Sequence, residues 1–437
     1  MKFEELEINK QIIEKTIEQG FKELTTIQER CIPEIIKGRD VVGQAETGSG
    51  KTLAFCIPLL EKIEPKRGVQ TVVITPTREL CVQVADEFKK FGKGLEIRTT
   101  SIYGGVNIKP QIKNLQSSQV VIGTPGRMLD HIRRNTIDLH NVCFFVLDEI
   151  DKMFEMGFID DVEKIIKNIP RNRQTLMFGA TISNETNDLI MKHSNNSIIV
   201  RTKSNVDSNK LKQFYYNINE KNHKFSLLVH LLKKNREELS IVFCGTRKEA
   251  DVLEKNLKHH GILASVIHGG MNQNKRLDSL NALKNKRSKV LVATDVAARG
   301  LDIKNVKSIY NYDVPIIPKD YTHRIGRTAR AGEEGIAITL LTRRDYVNFR
   351  KVQKYNEHLI EEKKLPDFKL FSLKRSIEQN EKKIQYSKKL STNKQYKKKI
   401  QYFKKPSTNK QYKKKNYGRT IRFPHKRSFH SKKMKGF

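Results

Sequence analysis

The 437-residue sequence predicts an α/β protein, two tandem parallel-sheet domains followed by a disordered basic C-terminal tail. Three observations carry that expectation. Through residues 1–373, short apolar runs alternate with amphipathic helical stretches, the pattern of strands buried on both faces and joined by crossover helices. The runs end in polar, Gly- or Pro-punctuated loops, and the arrangement occurs twice, on either side of a stretch of linker composition at 203–212 (KSNVDSNKLK). The net charge of +36 is uneven: residues 374–437 hold 23 Lys and Arg against two acidic residues.

In the first half, residues 1–202, the runs are Thr71–Thr75, Val120–Ile122, Cys143–Leu147 and Thr175–Phe178, which lead into PTREL, GTPGR, DEID and GAT. In the second, 213–373, they are Ile241–Phe243, Ala264–Ile267, Val290–Val292 and Ile336–Leu341, with mixed helix and loop up to 373. Ligands of such sheets bind beyond the carboxyl ends of the strands, where these loops fall. In the tail, Ile384–Lys399 and Ile400–Lys415 are a tandem repeat matching at 14 of 16 positions. Two polar copies cannot stack as a solenoid. The tail reads as a polycationic coil that neutralises phosphates, with Tyr386, Tyr396, Tyr402 and Tyr412 available to stack on unpaired bases.

No apolar run approaches the 18 residues of a membrane span; the longest, Ala54–Leu60 and Val142–Leu147, are strand-sized. The N-terminus shows no apolar signal core. Five scattered cysteines without a CxxC pair argue against zinc and disulfides and for a reducing, cytoplasmic setting.

The chemistry starts at Ala45-Glu46-Thr47-Gly48-Ser49-Gly50-Lys51-Thr52, between an apolar approach (Asp40–Val42) and a helical run from Leu53. Glycines let successive amides face phosphates, and the helix that follows adds its positive end. Lys51 would reach the outer phosphates and Thr52 would hold Mg²⁺. A later strand delivers Asp148, placed for the metal, and Glu149, placed for an attacking water. Together they imply nucleotide hydrolysis. In His323-Arg324-Ile325-Gly326-Arg327-Thr328-Ala329-Arg330, Arg327 and Arg330 are spaced to share the face of a helical turn. From a second domain they could stabilise a transferring phosphoryl group once the cleft closes.

Taken together, these motifs resemble the DEAD-box ATP-dependent RNA helicases of helicase superfamily two, over about residues 1–345. The resemblance implies two RecA-like domains. Gly20-Phe21…Ile27-Gln28 is similar to the Q motif, with Phe3 as its upstream aromatic; it implies that Phe21 stacks on adenine and Gln28 reads its edge. Ala45 is normal for the family's phosphate loop, and Asp302 is similar to its ribose contact. The implied nucleotide set is thus Phe21, Gln28, Ala45, Thr47, Gly48, Ser49, Gly50, Lys51, Thr52 and Asp302, with ATP and Mg²⁺. Pro76, Thr77, Arg78, Gly105, Thr124 and Arg127 look like RNA-backbone contacts of the first domain, and Gln273, Arg276 and Thr294 like those of the second. Arg327 and Arg330 match the arginine fingers.

Four positions depart from the family pattern. Ile150 stands for Ala in the acidic motif, Gly179 for Ser in the GAT loop, Leu24 for Pro and Ala329 for Gly. The acids are intact. Gly179 has no hydroxyl, which leaves Thr181 to donate to the acidic loop. Three activities stay open on the sequence: an RNA-dependent ATPase that separates short duplexes or remodels RNA–protein complexes, an ATP-gated RNA clamp, and an annealer that works through its tail.

Overall fold

In the computed structural model the described residues are 1–46, 48–202, 210–218, 221–298, 301, 303, 305–329, 334–356 and 359–373. The tail from 374, with Tyr386, Tyr396, Tyr402 and Tyr412, and linker residues 203–209 lie outside them.

The first sheet has seven strands: β1 (Val41–Gln44), β2 (Thr71–Ile74), β3 (Thr99–Ile102), β4 (Val120–Gly123), β5 (Phe144–Asp148), β6 (Gln174–Gly179) and β7 (Ile198–Arg201). All pairings are parallel, in the order β3-β4-β2-β5-β6-β1-β7. Helices α1 (Lys10–Glu18) and α2 (Thr26–Ile36) precede β1; parallel neighbours need crossovers, here α3 (Lys51–Lys62), α4 (Arg78–Phe91), α5 (Ile108–Leu115), α6 (Pro125–Arg133), α7 (Ile150–Glu155), α8 (Ile159–Ile166) and α9 (Asn184–His193). Apolar clusters fill both faces: Phe55, Phe88 and Phe178 on one, Phe145, Met153 and Met177 on the other. The strand-sized run Ala54–Leu60 is helical; it lies in α3, buried from Leu53 to Leu60, so its apolar residues surround the axis instead of marking one stripe.

The second sheet comprises β8 (Leu211–Asn217), β9 (Leu239–Phe243), β10 (Ala264–Ile267), β11 (Val290–Ala293), β12 (Val306–Asn311), β13 (Gly335–Leu341) and β14 (Glu361–Glu362). Its order is β10-β11-β9-β12-β13-β8-β14, the first sheet's order strand for strand. Helices α10 (Lys221–Lys234), α11 (Arg247–His259), α12 (Gln273–Lys284), α13 (Asp295–Ala298), α14 (Pro318–Ile325) and α15 (Tyr346–Tyr355) connect it. Strand β8 begins inside the stretch expected to be linker, because Leu211 and Lys212 pair with Gly335 and Ile336 of β13. After α15 the chain becomes an extended strap. Phe371 N–H donates to Ser226 Oγ (2.8 Å), and Phe368, Phe371 and Leu373 pack on the apolar cluster of α10 and α11. Residues Met1–Arg375 form one compact unit. Among the described residues no helix is long and apolar enough to cross a membrane.

Candidate active site

The phosphate loop leaves β1 and is held from below, where Ala45 N–H donates to Gly179 O (3.0 Å). Gly48 and Gly50 adopt φ of 87° and 96°, left-handed values that side chains disfavour, and Gly50 caps α3. Lys51 is buried, and its ammonium donates to the carbonyls of Ala45 (2.5 Å) and Glu46 (2.9 Å). Ser49 Oγ donates to Glu46 O (2.8 Å). Thr52 is half-buried in the first turn of α3. Thr47 lies outside the described residues.

Gln28 closes this loop from one side. Its Nε2 donates to Gly50 O (3.1 Å), and its Oε1 accepts from Thr25 N–H (2.9 Å), completing the capping box of α2. A Cβ at Gly50 would lie 2.4 Å from Gln28 Nε2, so the glycine is required for that approach. Expected to read an adenine edge, Gln28 is 1% exposed and in this structure buttresses the phosphate loop. Phe21 is half-buried, its ring 6.0 Å from Phe91 and 5.9 Å from Lys90 Nζ. Phe3 is in the core, where its N–H donates to Lys22 O (3.3 Å); it braces the Phe21 turn from behind.

Strand β5 delivers Asp148 to the same sheet edge. Glu149 follows in the left-handed region (φ 55°, ψ 50°), its N–H bonded to Asp148 Oδ1 (3.0 Å), and caps α7. Both carboxylates are buried, and Glu149 Oε2 has no hydrogen-bond partner. Burial, with Glu149 adding to it, pushes Asp148 up to about 7, while Lys51 pulls the other way. Burial also raises Glu149; Arg327 and Lys51 oppose it. A buried acidic pair with one orphaned oxygen, on the sheet whose phosphate loop leads into Thr52, suits a hard divalent cation. Asp151, on the next turn, accepts at Oδ2 from Ala180 N–H (3.3 Å), Thr181 N–H (3.2 Å) and Thr181 Oγ1 (3.3 Å), tying α7 to the loop after β6.

Arg327 of the second sheet thus acts electrostatically on Glu149, although not from a helix as the spacing suggested. Helix α14 ends at Ile325, Gly326 caps it, and Ala329 turns left-handed (φ 53°). Arg327 is buried, with Nη1 donating to Leu301 O (2.7 Å). Arg330 and Asp302 lie outside the described residues. Arg324, in the same motif, is structural: it forks onto Asp295 (2.5 and 2.8 Å) and lies over Phe243.

Among the described residues, polar bonds join the two sheets' loops at two places. Glu79, 2% exposed, accepts at Oε1 from Gln273 Nε2 (2.9 Å) and pairs with Arg276 Nε (2.8 Å). Gln273 and Arg276, expected on RNA, both meet Glu79 in this structure, a buried carboxylate that draws nearby donors. Elsewhere, Lys152 donates to His323 Nδ1 (3.1 Å), and Glu155 pairs with Lys152 and Lys319 (2.9 Å each). Burial alone would raise Glu155, but hydrogen bonds from the two lysines prevail and hold it down at about 2. Burial, with Lys152 adding to it, lowers His323 to about 3.

The remaining expected RNA residues gather at the carboxyl end of the first sheet, except Thr294, which follows β11 of the second. Thr77, after buried Pro76, caps α4 by accepting from Leu80 N–H, and Arg78 opens that helix. Arg78 lies over Gly104 and Gly105; a Cβ at Gly105 would fall 2.0 Å from its Nη1. Thr124 precedes α6 with its side chain free of capping duty. Arg127 is held inward by Gln111 Oε1 and Val106 O (3.2 Å each). Thr294 is buried at the end of β11. The second sheet carries a counterpart that the sequence reading missed. Thr246 caps α11, Arg247 opens it, and Arg247 lies against Gly269 and Gly270, 3.3 Å from where a Cβ of Gly269 would be. Aligning TR…GG in the two halves would have found it.

A phosphate loop and acidic pair on one parallel sheet, faced by an arginine from a second sheet of identical topology, define a two-domain nucleotide hydrolase of the helicase class. Residues 25–189 match the family described as DEAD/DEAH box helicase, and 223–332 that described as Helicase conserved C-terminal domain. The ATP-dependent RNA helicase CshA of Listeria monocytogenes is 44% identical over 355 residues, 80% of this chain and 68% of that protein. Among solved structures, S. cerevisiae Dbp5 bound to RNA and ADP BeF3 matches with a TM-score of 0.74 at 30% identity, covering 83% of this chain and 95% of that one. Mss116p bound to ssRNA and AMP-PNP matches with a TM-score of 0.74 at 28% identity, covering 84% and 80%. The chain belongs to the DEAD/DEAH box helicase family.

Proposed function

We propose that this ATP-dependent RNA helicase hydrolyses ATP in the cleft between its two sheets while holding one RNA strand along the carboxyl-end loops of both. Lys51 and the amides around Gly48–Gly50 receive the outer phosphates. Thr52 and Asp148 would hold Mg²⁺, which supplies charge neutralisation at the transferring phosphoryl group when bound. Glu149 orients the attacking water, its orphaned oxygen left open to accept that hydrogen bond. Arg327, with Arg330, stabilises charge on the equatorial oxygens. Phe21 stacks on the base, and Asp302 binds the ribose.

Thr77, Arg78, Gly105, Thr124 and Arg127 in residues 1–202, with Arg247, Gly269, Gly270 and Thr294 in a second domain running from 211 to 373, line the strand's path. Such contacts hold backbone and carry no sequence preference. Gln273 and Arg276 act on RNA through Glu79, by keeping the two halves of that path in register. Separating short duplexes or remodelling RNA–protein complexes follows when closure bends the held strand. The five free cysteines suit a reducing cytoplasm, where we place the protein.

The observation that carries the reading is the phosphate loop capping α3 together with the buried Asp148–Glu149 pair, whose Glu149 Oε2 is left without a partner. The test is ATP turnover with and without single-stranded RNA, alongside release of a short tailed duplex, for the native chain and Glu149→Gln. RNA-stimulated turnover and release, both lost in the variant, are expected. Turnover without release would leave an ATP-gated clamp. RNA binding without turnover would overturn the site assignment.

A further inference from the structure

The two departures nearest the acidic pair meet in space. Ile150 opens α7, directly after Glu149, and is fully buried; Gly179 ends β6. A Cβ at 179 would lie 3.0 Å from Ile150 Cγ2, 3.3 Å from Asp151 Oδ1 and 3.5 Å from Thr181 O. The first contact is with a γ-methyl that Ala at 150 would not have. The second lies beside a carboxylate that a hydroxyl at 179 would be able to reach. A close-packed site of this kind takes both side chains only if the isoleucine gives way by a few tenths of an ångström, at a cost in packing.

We propose that Ile150 and Gly179 are one exchange pair, in which the isoleucine γ-methyl fills the space of a side chain at 179 and makes Thr181 the positioning residue of the acidic loop. Without a hydroxyl at 179, Asp151 takes its side-chain donor from Thr181 and its backbone donors from Ala180 and Thr181. That bond fixes the first turn of α7, and with it the left-handed Glu149 at its cap. The same strand end reaches the phosphate loop through the bond from Ala45 N–H to Gly179 O. Thr181 therefore acts on hydrolysis through Asp151 and touches no reacting atom. The inference rests on Glu149 as the residue that orients water.

The test is a cycle on the full chain, with Gly179→Ser, Ile150→Ala and the double variant, each with and without Thr181→Val. Thermal midpoint, kcat and KM for ATP are read at saturating RNA. Gly179→Ser alone should lower the midpoint by several degrees and kcat at least tenfold. Adding Ile150→Ala should recover both. Thr181→Val should reduce kcat at least tenfold in the native background with KM within twofold, and less than threefold in the double variant, where Ser at 179 replaces the lost hydroxyl. Additive midpoints across the cycle would overturn the exchange. A Thr181→Val loss equal in both backgrounds would overturn the positioning role. A wrong role for Glu149 would appear separately, as turnover surviving Glu149→Gln, while the midpoint cycle still reports on the pair.

Discussion

Glu79→Gln removes one negative charge at the buried junction between the two sheets and changes almost nothing else. The glutamine keeps a carbonyl oxygen that can accept from Gln273, so the bond at 2.9 Å survives in weakened form. The ion pair with Arg276 at 2.8 Å does not. Burial already disfavours the charged guanidinium, and Glu79 is the group that offsets it. Breaking a buried pair from one side costs about 3–5 kcal/mol, and a retained neutral hydrogen bond recovers part of that. A net loss of about 2–3 kcal/mol corresponds to roughly 30–150-fold in the closing equilibrium. Since both partners lie on different sheets, the cost falls on the closed form. Donor and acceptor dyes on the two domains, followed during titration with RNA at saturating nucleotide, would report closure directly. The RNA concentration for half-maximal ATPase should rise by a similar factor. Closure within twofold of the native chain would refute the reasoning that this junction holds the domains together.

Three further outcomes are expected. Closure should weaken as pH falls below 6.5: His323 is depressed to about 3, so an open form takes up a proton that the closed form refuses. Its contribution is complete above 6.5 and fades towards 3, about tenfold by pH 5.5, and His323→Asn should flatten that profile in the same dye assay. Gly105→Ala puts a methyl group where Arg78 lies and forces φ of 83° on a residue with a Cβ; RNA anisotropy should show affinity at least about tenfold weaker, with RNA-independent ATP turnover unchanged. Ala329→Gly should stabilise the chain by about 0.5–1 kcal/mol, a rise of about 2 °C in calorimetry, by relieving the left-handed alanine at φ 53°.

Much of this fold was legible because buried parallel strands are continuous apolar runs, as at Val120–Ile122 and Val290–Val292. Strands escaped where that rule lapses. β3 (TTSI) and β7 lie at the sheet's edges and are partly exposed. β12 lies centrally but carries polar residues that its neighbours satisfy: Asn311 bonds Thr339 and Arg324, and Ser308 bonds Glu238. The phosphate loop and acidic pair were legible because their chemistry is local in sequence. The Glu79 junction was not, since its partners are 194 positions apart and a glutamine and an arginine near a helix start suggest a phosphate contact as readily as a carboxylate one. Nor was the tie between Ile150 and Gly179, two positions that look independent until the fold brings a γ-methyl against a missing side chain.

On the proposed RNA path, the duplicated threonine, arginine and glycine pair gives the molecule two jaws of the same make. Each alone is a weak holder of backbone, but a strand long enough to enter both experiences the second at the high local concentration set by the first. Holding strength then depends on how far apart the jaws stand, which the junctions at Glu79 and His323 govern. An oligonucleotide too short to bridge them forfeits the avidity outright, whatever its bases. On that path the protein is in effect a calliper, and what it reads is length.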